Sequence, residues 1–237
     1  MPHILAIDTA TDACSVAIQT PSGVYQTLSA SPRKHTQCLL PAVKSLLAEH
    51  QLCLAQLDAI AFTVGPGSFT GLRIGISVAQ GLAYGADLPL IPVSTLQTMA
   101  QTAVRLEIAS PSQQIVPIID ARMNEVYWSA YAYKGDQKNV QSITEEWIDH
   151  PEKAIDPSIV TAEIVGIGSG WAYTSLQHRF PDAAITVDFY PQAYDVAILA
   201  EQKYQQQQTL SPLEAKPTYI RDETSWKKRQ RIRQSFV

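Results

Sequence analysis

Apolar and polar positions follow two rhythms along the chain. Ile4-Leu5-Ala6-Ile7 is an unbroken apolar run, Asp8-Thr9-Ala10-Thr11-Asp12 is a polar turn, and Cys14-Ser15-Val16-Ala17-Ile18-Gln19-Thr20 alternates. A hairpin is expected there, with a third strand after the Pro21-Ser22-Gly23 turn. The rhythm then becomes helical: Leu39, Leu40, Val43, Leu46 and Leu47 share one stripe of a helix over 36–50, with His35 just ahead of it. Leu57–Val64 reads as a strand, 72–85 as a helix carrying Leu72, Val78, Ala79 and Leu82, and Leu88–Val93 as a short strand. Ser94 is placed to cap the helix that opens at Thr95.

Between the strand and the helix stands Gly65-Pro66-Gly67-Ser68-Phe69-Thr70-Gly71-Leu72-Arg73-Ile74-Gly75. A loop at the C-terminal end of a strand in an open α/β sheet is where ligands and partners are commonly received. As a phosphate cradle it is irregular, because no Lys-Ser/Thr pair follows, and G-x-G-x-x-x-G is one residue longer than the dinucleotide fingerprint. The other reading is steric: the glycines make a tight turn and let the next helix approach a neighbour. Gly71, Gly75 and Gly81 each weaken a helix by about 1 kcal/mol relative to Ala, so close approach of another helix is expected in exchange. The candidate ligand or partner loop is therefore Asp8, Thr9, Thr11, Gly65, Gly67, Ser68, Phe69 and Gly71, joined by Asp120.

Asp120 enters because the opening pattern returns. Ile115-Val116-Pro117-Ile118-Ile119 leads into Asp120 and a polar turn, then an alternating strand through Tyr131, and Ile164-Val165-Gly166-Ile167-Gly168-Ser169-Gly170 echoes the strand and glycine loop at Val64. Two duplicated α/β halves follow, 1–104 and 105–237, joined near 104–114; the second closes with a helix over 195–201 and a Gln-rich stretch at 205–208. Such a two-lobed, actin-like (ribonuclease H-like) arrangement holds ATP in its cleft in acetate and sugar kinases, heat-shock ATPases and actin.

Composition narrows the chemistry. With 46% apolar and 17% charged among 237 residues, a well-buried core is expected. No apolar run is long enough for a membrane span and the N-terminus lacks a signal peptide's basic region, so a cytoplasmic protein is expected. Cys14, Cys38 and Cys53 form no C-x-x-C, and no two of the five histidines stand four apart, so no metal site is expected from local sequence. The net charge of −4 is uneven: from Thr224 onward stand Lys227, Lys228, Arg229, Arg231 and Arg233 without an acid, leaving the remainder at −9. That tail reads either as a solvated terminus or as an RNA contact.

Several segments, in order, carry a resemblance: Ile7-Asp8-Thr9-Ala10-Thr11, Pro32-Arg33-Lys34-His35-Thr36-Gln37, the glycine loop, Val93-Ser94-Thr95-Leu96, Ile119-Asp120-Ala121-Arg122-Met123-Asn124-Glu125-Val126-Tyr127-Trp128 and Pro217-Thr218-Tyr219-Ile220-Arg221-Asp222. From residue 4 to about 228 the chain resembles the bacterial TsaB (YeaZ) family, related to TsaD and the glycoproteases. The resemblance implies a non-catalytic subunit that binds TsaD and supports threonylcarbamoyl transfer to an adenosine of tRNAs reading codons that begin with A. It implies TsaE as a further partner, tRNA reached through the complex, no membrane, and ATP and iron or zinc on the partner subunits rather than on this one. TsaD carries its iron on a His-x-x-x-His helix; the matching positions here are Thr95 and Met99, and neither offers an imidazole.

The expected interface comprises the stripe Leu39, Leu40, Val43, Leu46 and Leu47 on the first helix with Leu72, Gly75, Val78, Ala79 and Leu82 on the second, used for TsaD or for a homodimer when TsaD is missing. Two enzyme readings stand beside this one. They are an ATP-dependent phosphotransferase working between Asp8, Asp120 and the glycine loops, and a glycoprotease-like peptidase.

Overall fold

The computed structural model describes residues 1–29, 35–135, 138–160 and 163–220. Strands β1 (Ile4–Asp8), β2 (Cys14–Thr20) and β3 (Gly23–Ser29) form an antiparallel meander; helix α1 (His35–Glu49) follows, then β4 (Ala59–Gly65), α2 (Phe69–Ala86), β5 (Leu90–Ser94) and α3 (Thr95–Arg105). The sheet order is β3-β2-β1-β4-β5, with β1, β4 and β5 parallel. Both faces of its centre are covered, which is why β1 reads as an unbroken apolar run. Leu5, Ile7, Val16, Ile18, Ile60 and Phe62 pack under α1 and α2.

The second half repeats the plan in shorter pieces: β6 (Gln114–Arg122), β7 (Glu125–Trp128), β8 (Tyr131–Ala132), β9 (Gln141–Ser142), β10 (Trp147–Asp149), β11 (Ile164–Ile167), α4 (Thr174–Arg179), β12 (Ala184–Thr186) and α5 (Ala193–Gln205). Its main path is β10-β7-β6-β11-β12, again an antiparallel trio followed by parallel neighbours, so the duplication holds at the level of topology. The whole is a two-lobed, actin-like α/β fold.

Two helices lie where position along the chain does not place them. Helix α5, counted with the second half by sequence, packs on the first sheet: Val196, Ala197, Leu199 and Ala200 lie against Ile4, Ala6, Ala17, Ala59, Ala61, Ile91 and Val93. Helix α3 sends Leu96, Met99, Ala100 and Ala103 into the second core beside Ile115, Ile119 and Tyr131. The two helices are tied together by buried Asp195, which accepts from Thr102 Oγ1 at 2.8 Å and pairs with Arg105 Nη2 at 2.9 Å. Burial raises the Asp195 pKa, and the Arg105 guanidinium opposes that rise. After α5 the chain stays on the first lobe: Leu210 pairs with Leu90, and Gln80 Nε2 donates to the carbonyls of Pro212 and Ala215 at 2.9 and 3.1 Å.

Candidate functional site

Strand β1 delivers Asp8 to the C-terminal edge of the first sheet, and the glycine loop closes over it. Asp8 Oδ1 accepts from Thr63 Oγ1 at 2.8 Å and from the Ala10 amide at 3.2 Å. Thr9 Oγ1 donates to the Gly71 carbonyl at 2.8 Å, and the Ser68 amide donates to the Ala10 carbonyl at 2.7 Å. Ser68 Oγ caps α2 by accepting from the Gly71 amide at 3.2 Å. The loop amides of Ser68 and Gly71 and the turn amide of Ala10 are thus used within the chain.

Sterics explain the glycine spacing. A Cβ on Gly67 would stand 2.3 Å from the Ala10 carbonyl oxygen, one on Gly71 2.1 Å from that of Thr9, and one on Gly75 2.3 Å from Thr9 Oγ1. The partner of this close approach is therefore the lobe's own Asp8 turn, whereas another helix was expected; Gly81 has nothing within 4 Å of its Cβ position. Thr11 only accepts locally, from the Ala13 amide at 3.4 Å.

Asp8 is wholly buried and its Oδ2 has no partner. Burial pushes its pKa up to about 7, against the lowering effect of the Thr63 and Ala10 hydrogen bonds. Thr95 Oγ1 is another buried oxygen without a partner, and Met99 is fully buried in the second core. Among the described residues no three His, Cys, Asp or Glu side chains cluster as metal ligands. Asp120 sits in the second lobe with partners of its own: its carboxylate accepts from the Arg122 amide at 2.9 Å and from Tyr173 Oη at 3.2 Å, and pairs with Arg122 Nη1 at 3.2 Å.

The expected interface is corrected by the packing. Leu39, Val43, Leu46, Leu47, Leu72 and Ala79 are buried in the chain's own first core, and Gly75 is buried against Thr9 and Ile7. A helical stripe reports that a face is buried, but not whether sheet or partner buries it. Leu40 is 50% exposed, and Val78 and Leu82 are half-buried. Leu40 and Val78 line a groove of about 500 Å³ between α1 and α2, whose other walls include His35, Leu39, Phe69, Arg73 and Ile74. His35 anchors the start of α1 through Nε2 to the Ala13 carbonyl at 3.1 Å.

Sequence reasoning missed the contact made at the Phe69–Arg73 end of this groove. The Thr218 amide donates to the Val64 carbonyl at 2.9 Å, which carries Tyr219 to the start of α2. There Arg73 stacks 3.4 Å above the Phe69 ring and donates Nη2 to Tyr219 Oη at 2.8 Å. The Pro217-Thr218-Tyr219 segment was visible as a motif, but its destination was not. The basic tail and Arg33-Lys34 lie outside the described residues.

Residues 22–228 match the family described as TsaD: tRNA N6-adenosine threonylcarbamoyltransferase. The chain is 41% identical to the tRNA threonylcarbamoyladenosine biosynthesis protein TsaB of Haemophilus influenzae over 95% of this chain and 96% of that protein. It is 40% identical to the protein of the same name from Escherichia coli, over 95% and 97% respectively. The solved structure of YeaZ from Pseudomonas aeruginosa superposes with a TM-score of 0.85 at 37% identity, covering 92% of this chain and all of that one.

Proposed function

The chain belongs to the TsaB family of tRNA threonylcarbamoyladenosine biosynthesis proteins, and we propose that its part in that pathway is a non-catalytic one, as the subunit that docks TsaD. One observation carries the reading: the open concavity of the first lobe is an apolar groove between two helices, with Leu40 half exposed and Phe69 59% exposed at its rim. Exposed apolar surface of this kind fits a protein partner's helix better than a charged small molecule. A closed Asp8 turn, and Thr95 and Met99 where the TsaD helix carries histidines, support the same reading. TsaE, ATP and the metal enter through the rest of the assembly, in the cytoplasm where tRNA is modified; among the described residues no helix is long and apolar enough to cross a membrane. Without TsaD the same groove serves a second copy of the chain.

The test uses exposed groove positions rather than core ones. Leu40→Glu with Phe69→Glu, both exposed at the groove, leaves thermal stability within a few degrees of the parent and weakens TsaD association at least tenfold in sedimentation velocity. Unchanged association would place the interface elsewhere.

A further inference from the structure

After α5 the chain returns along the first lobe as a strap. Leu210 pairs with Leu90, Gln80 Nε2 holds the carbonyls of Pro212 and Ala215, and the Thr218 amide donates to the Val64 carbonyl at 2.9 Å. Tyr219 is thereby set beside the first turns of α2. Its ring lies 6.3 Å from that of Phe69, and its hydroxyl accepts from Arg73 Nη2 at 2.8 Å. The Arg73 guanidinium is held on a second side by the Phe69 ring, 3.4 Å away. One neighbour on its own helix and another from the returning strap thus fix a single exposed cation at the end of the α1/α2 groove.

What that cation lacks is a carboxylate. Among the described residues none lies within ion-pair reach of Arg73, and the hydrogen bond from Nη2 to Tyr219 leaves the rest of its N–H edge unengaged. Arg73 is also the one permanently charged side chain on the groove wall. A guanidinium already held in one pose loses little side-chain entropy on pairing, and its fork matches the two oxygens of a carboxylate. The chain's own helices do not bring the complement to that end. Helix α2 contains no acid, and the acid of α1 is Glu49, its last residue, which accepts from Ser45 Oγ at 3.0 Å. Glu49 stands roughly 14 Å along the helix axis beyond Leu40.

We propose that Arg73, positioned by Phe69 and Tyr219, selects what the groove accepts: an amphipathic helix of the protein partner whose apolar stripe meets Leu40, Ile74 and Val78, with an Asp or Glu beyond the stripe paired to the guanidinium. This rests on the docking reading of the groove and adds to it the chemistry of the partner and the residue that discriminates. Apolar burial alone distinguishes poorly among helices of similar width. A guanidinium covered by a partner without an acid, by contrast, gives up its water and gains no counter-charge. A partner carrying the acid is therefore favoured over a second copy of the chain, which brings none to that end. Tyr219 is a positioning residue, because it acts on the partner through Arg73.

The experiment titrates TsaD calorimetrically into the full chain and into Arg73→Gln, Tyr219→Phe, the double variant and Leu40→Glu, all at exposed positions. Each titration is run at about 50 and about 500 mM salt, and sedimentation velocity follows self-association of the chain alone. Arg73→Gln weakens TsaD binding about tenfold at the lower salt and about threefold or less at the higher, as screening of a charge pair requires. Tyr219→Phe removes only the hydroxyl; it weakens binding roughly threefold at the lower salt and adds nothing once Arg73 is Gln. Self-association is the same in parent and Arg73→Gln. Parent-like TsaD affinity of Arg73→Gln at both salts would overturn the proposal, as would an equal loss at both, which marks a packing role, or a matching loss of self-association. Additive losses in the double variant would remove Tyr219 as the positioning residue. If Leu40→Glu weakens TsaD binding while Arg73→Gln does not, the selection by Arg73 alone fails; if neither weakens it, the docking reading fails as well.

Discussion

The two lobes share a strand order but not a finish. In the first, β4 runs through the glycine loop into an 18-residue helix, and in the second, β11 runs through Gly168 and Gly170 into a short 3-10 turn and a six-residue helix. Yet both loops press on the opening of their lobe, the first on the turn after β1 and the second on β6. Gly67 and Gly71 leave no room beside Ala10 and Thr9, and a Cβ on Gly168 or Gly170 would stand 2.5 Å from Ile118 O or 2.3 Å from Ile118 Cγ2. A feature that recurs where the long helix has been lost belongs to the architecture first. The glycines and the Asp turns close each lobe, and the docking groove proposed above lies instead between α1 and α2, the long helix pair that the first lobe has among the described residues.

The sharpest contrast between the lobes is Asp8 itself, sealed where Asp120 is half open. Its folded pKa of about 7 lies above the ordinary 3.8, so the folded state holds a proton that the unfolded state has released. Its contribution is fully present below about pH 4 and is lost as pH rises to about 7, an effect of roughly 4 kcal/mol. Urea titrations across this range with Asp8→Asn should show the variant gaining on the parent as pH rises and levelling off above pH 7. A constant difference would mean that Asp8 titrates alike in the folded and unfolded states, so that burial does not raise its pKa.

The glycine pair ranks next. Gly71→Ala drives a Cβ onto the backbone oxygen of Thr9, and Gly170→Ala drives one onto Cγ2 of the fully buried, β-branched Ile118, so each is expected to cost about 3 kcal/mol. A urea midpoint unchanged from the parent in either variant would remove the steric reading of that loop. The smallest effect is a gain: Gly81→Ala, in open space on α2, should stabilise by about 0.5–1 kcal/mol.

Much of this was legible from residue order. The Asp turns at 8 and 120, the alternating strands after them and the two strand–glycine loops repeat in sequence, because each is a local pattern of burial and turn geometry. Ser94 also caps α3 as expected, accepting from the Gln97 amide at 3.1 Å. What escaped was destination. The helical period of 195–201 marks a buried face but not that it crosses back to the first sheet, and nothing local to Tyr219 says that it meets Arg73, 146 residues earlier. The stripe at Leu39, Val43, Leu46 and Leu47 failed for the same reason. Its apolar width was right, but the sheet covers it, and Leu40 at its edge is what remains outside.

Replacing Ala79 by Trp, aimed at a core position, should unfold the first lobe, while Val78→Trp beside it should leave a folded chain with altered TsaD affinity. Circular dichroism melts separate the two. If Ala79→Trp melts like the parent, α2 does not pack on the sheet as described.

On the function proposed above, this chain serves the modification of tRNA without performing it. Threonylcarbamoyl transfer to a tRNA transcript, assayed with the purified chain alone, with TsaD alone and with the full set of partners, tests that most directly. Expected are no transfer by the chain alone, restored transfer when it joins the partners, and loss of that restoration in the Leu40→Glu, Phe69→Glu variant. Robust transfer by the chain alone would contradict it.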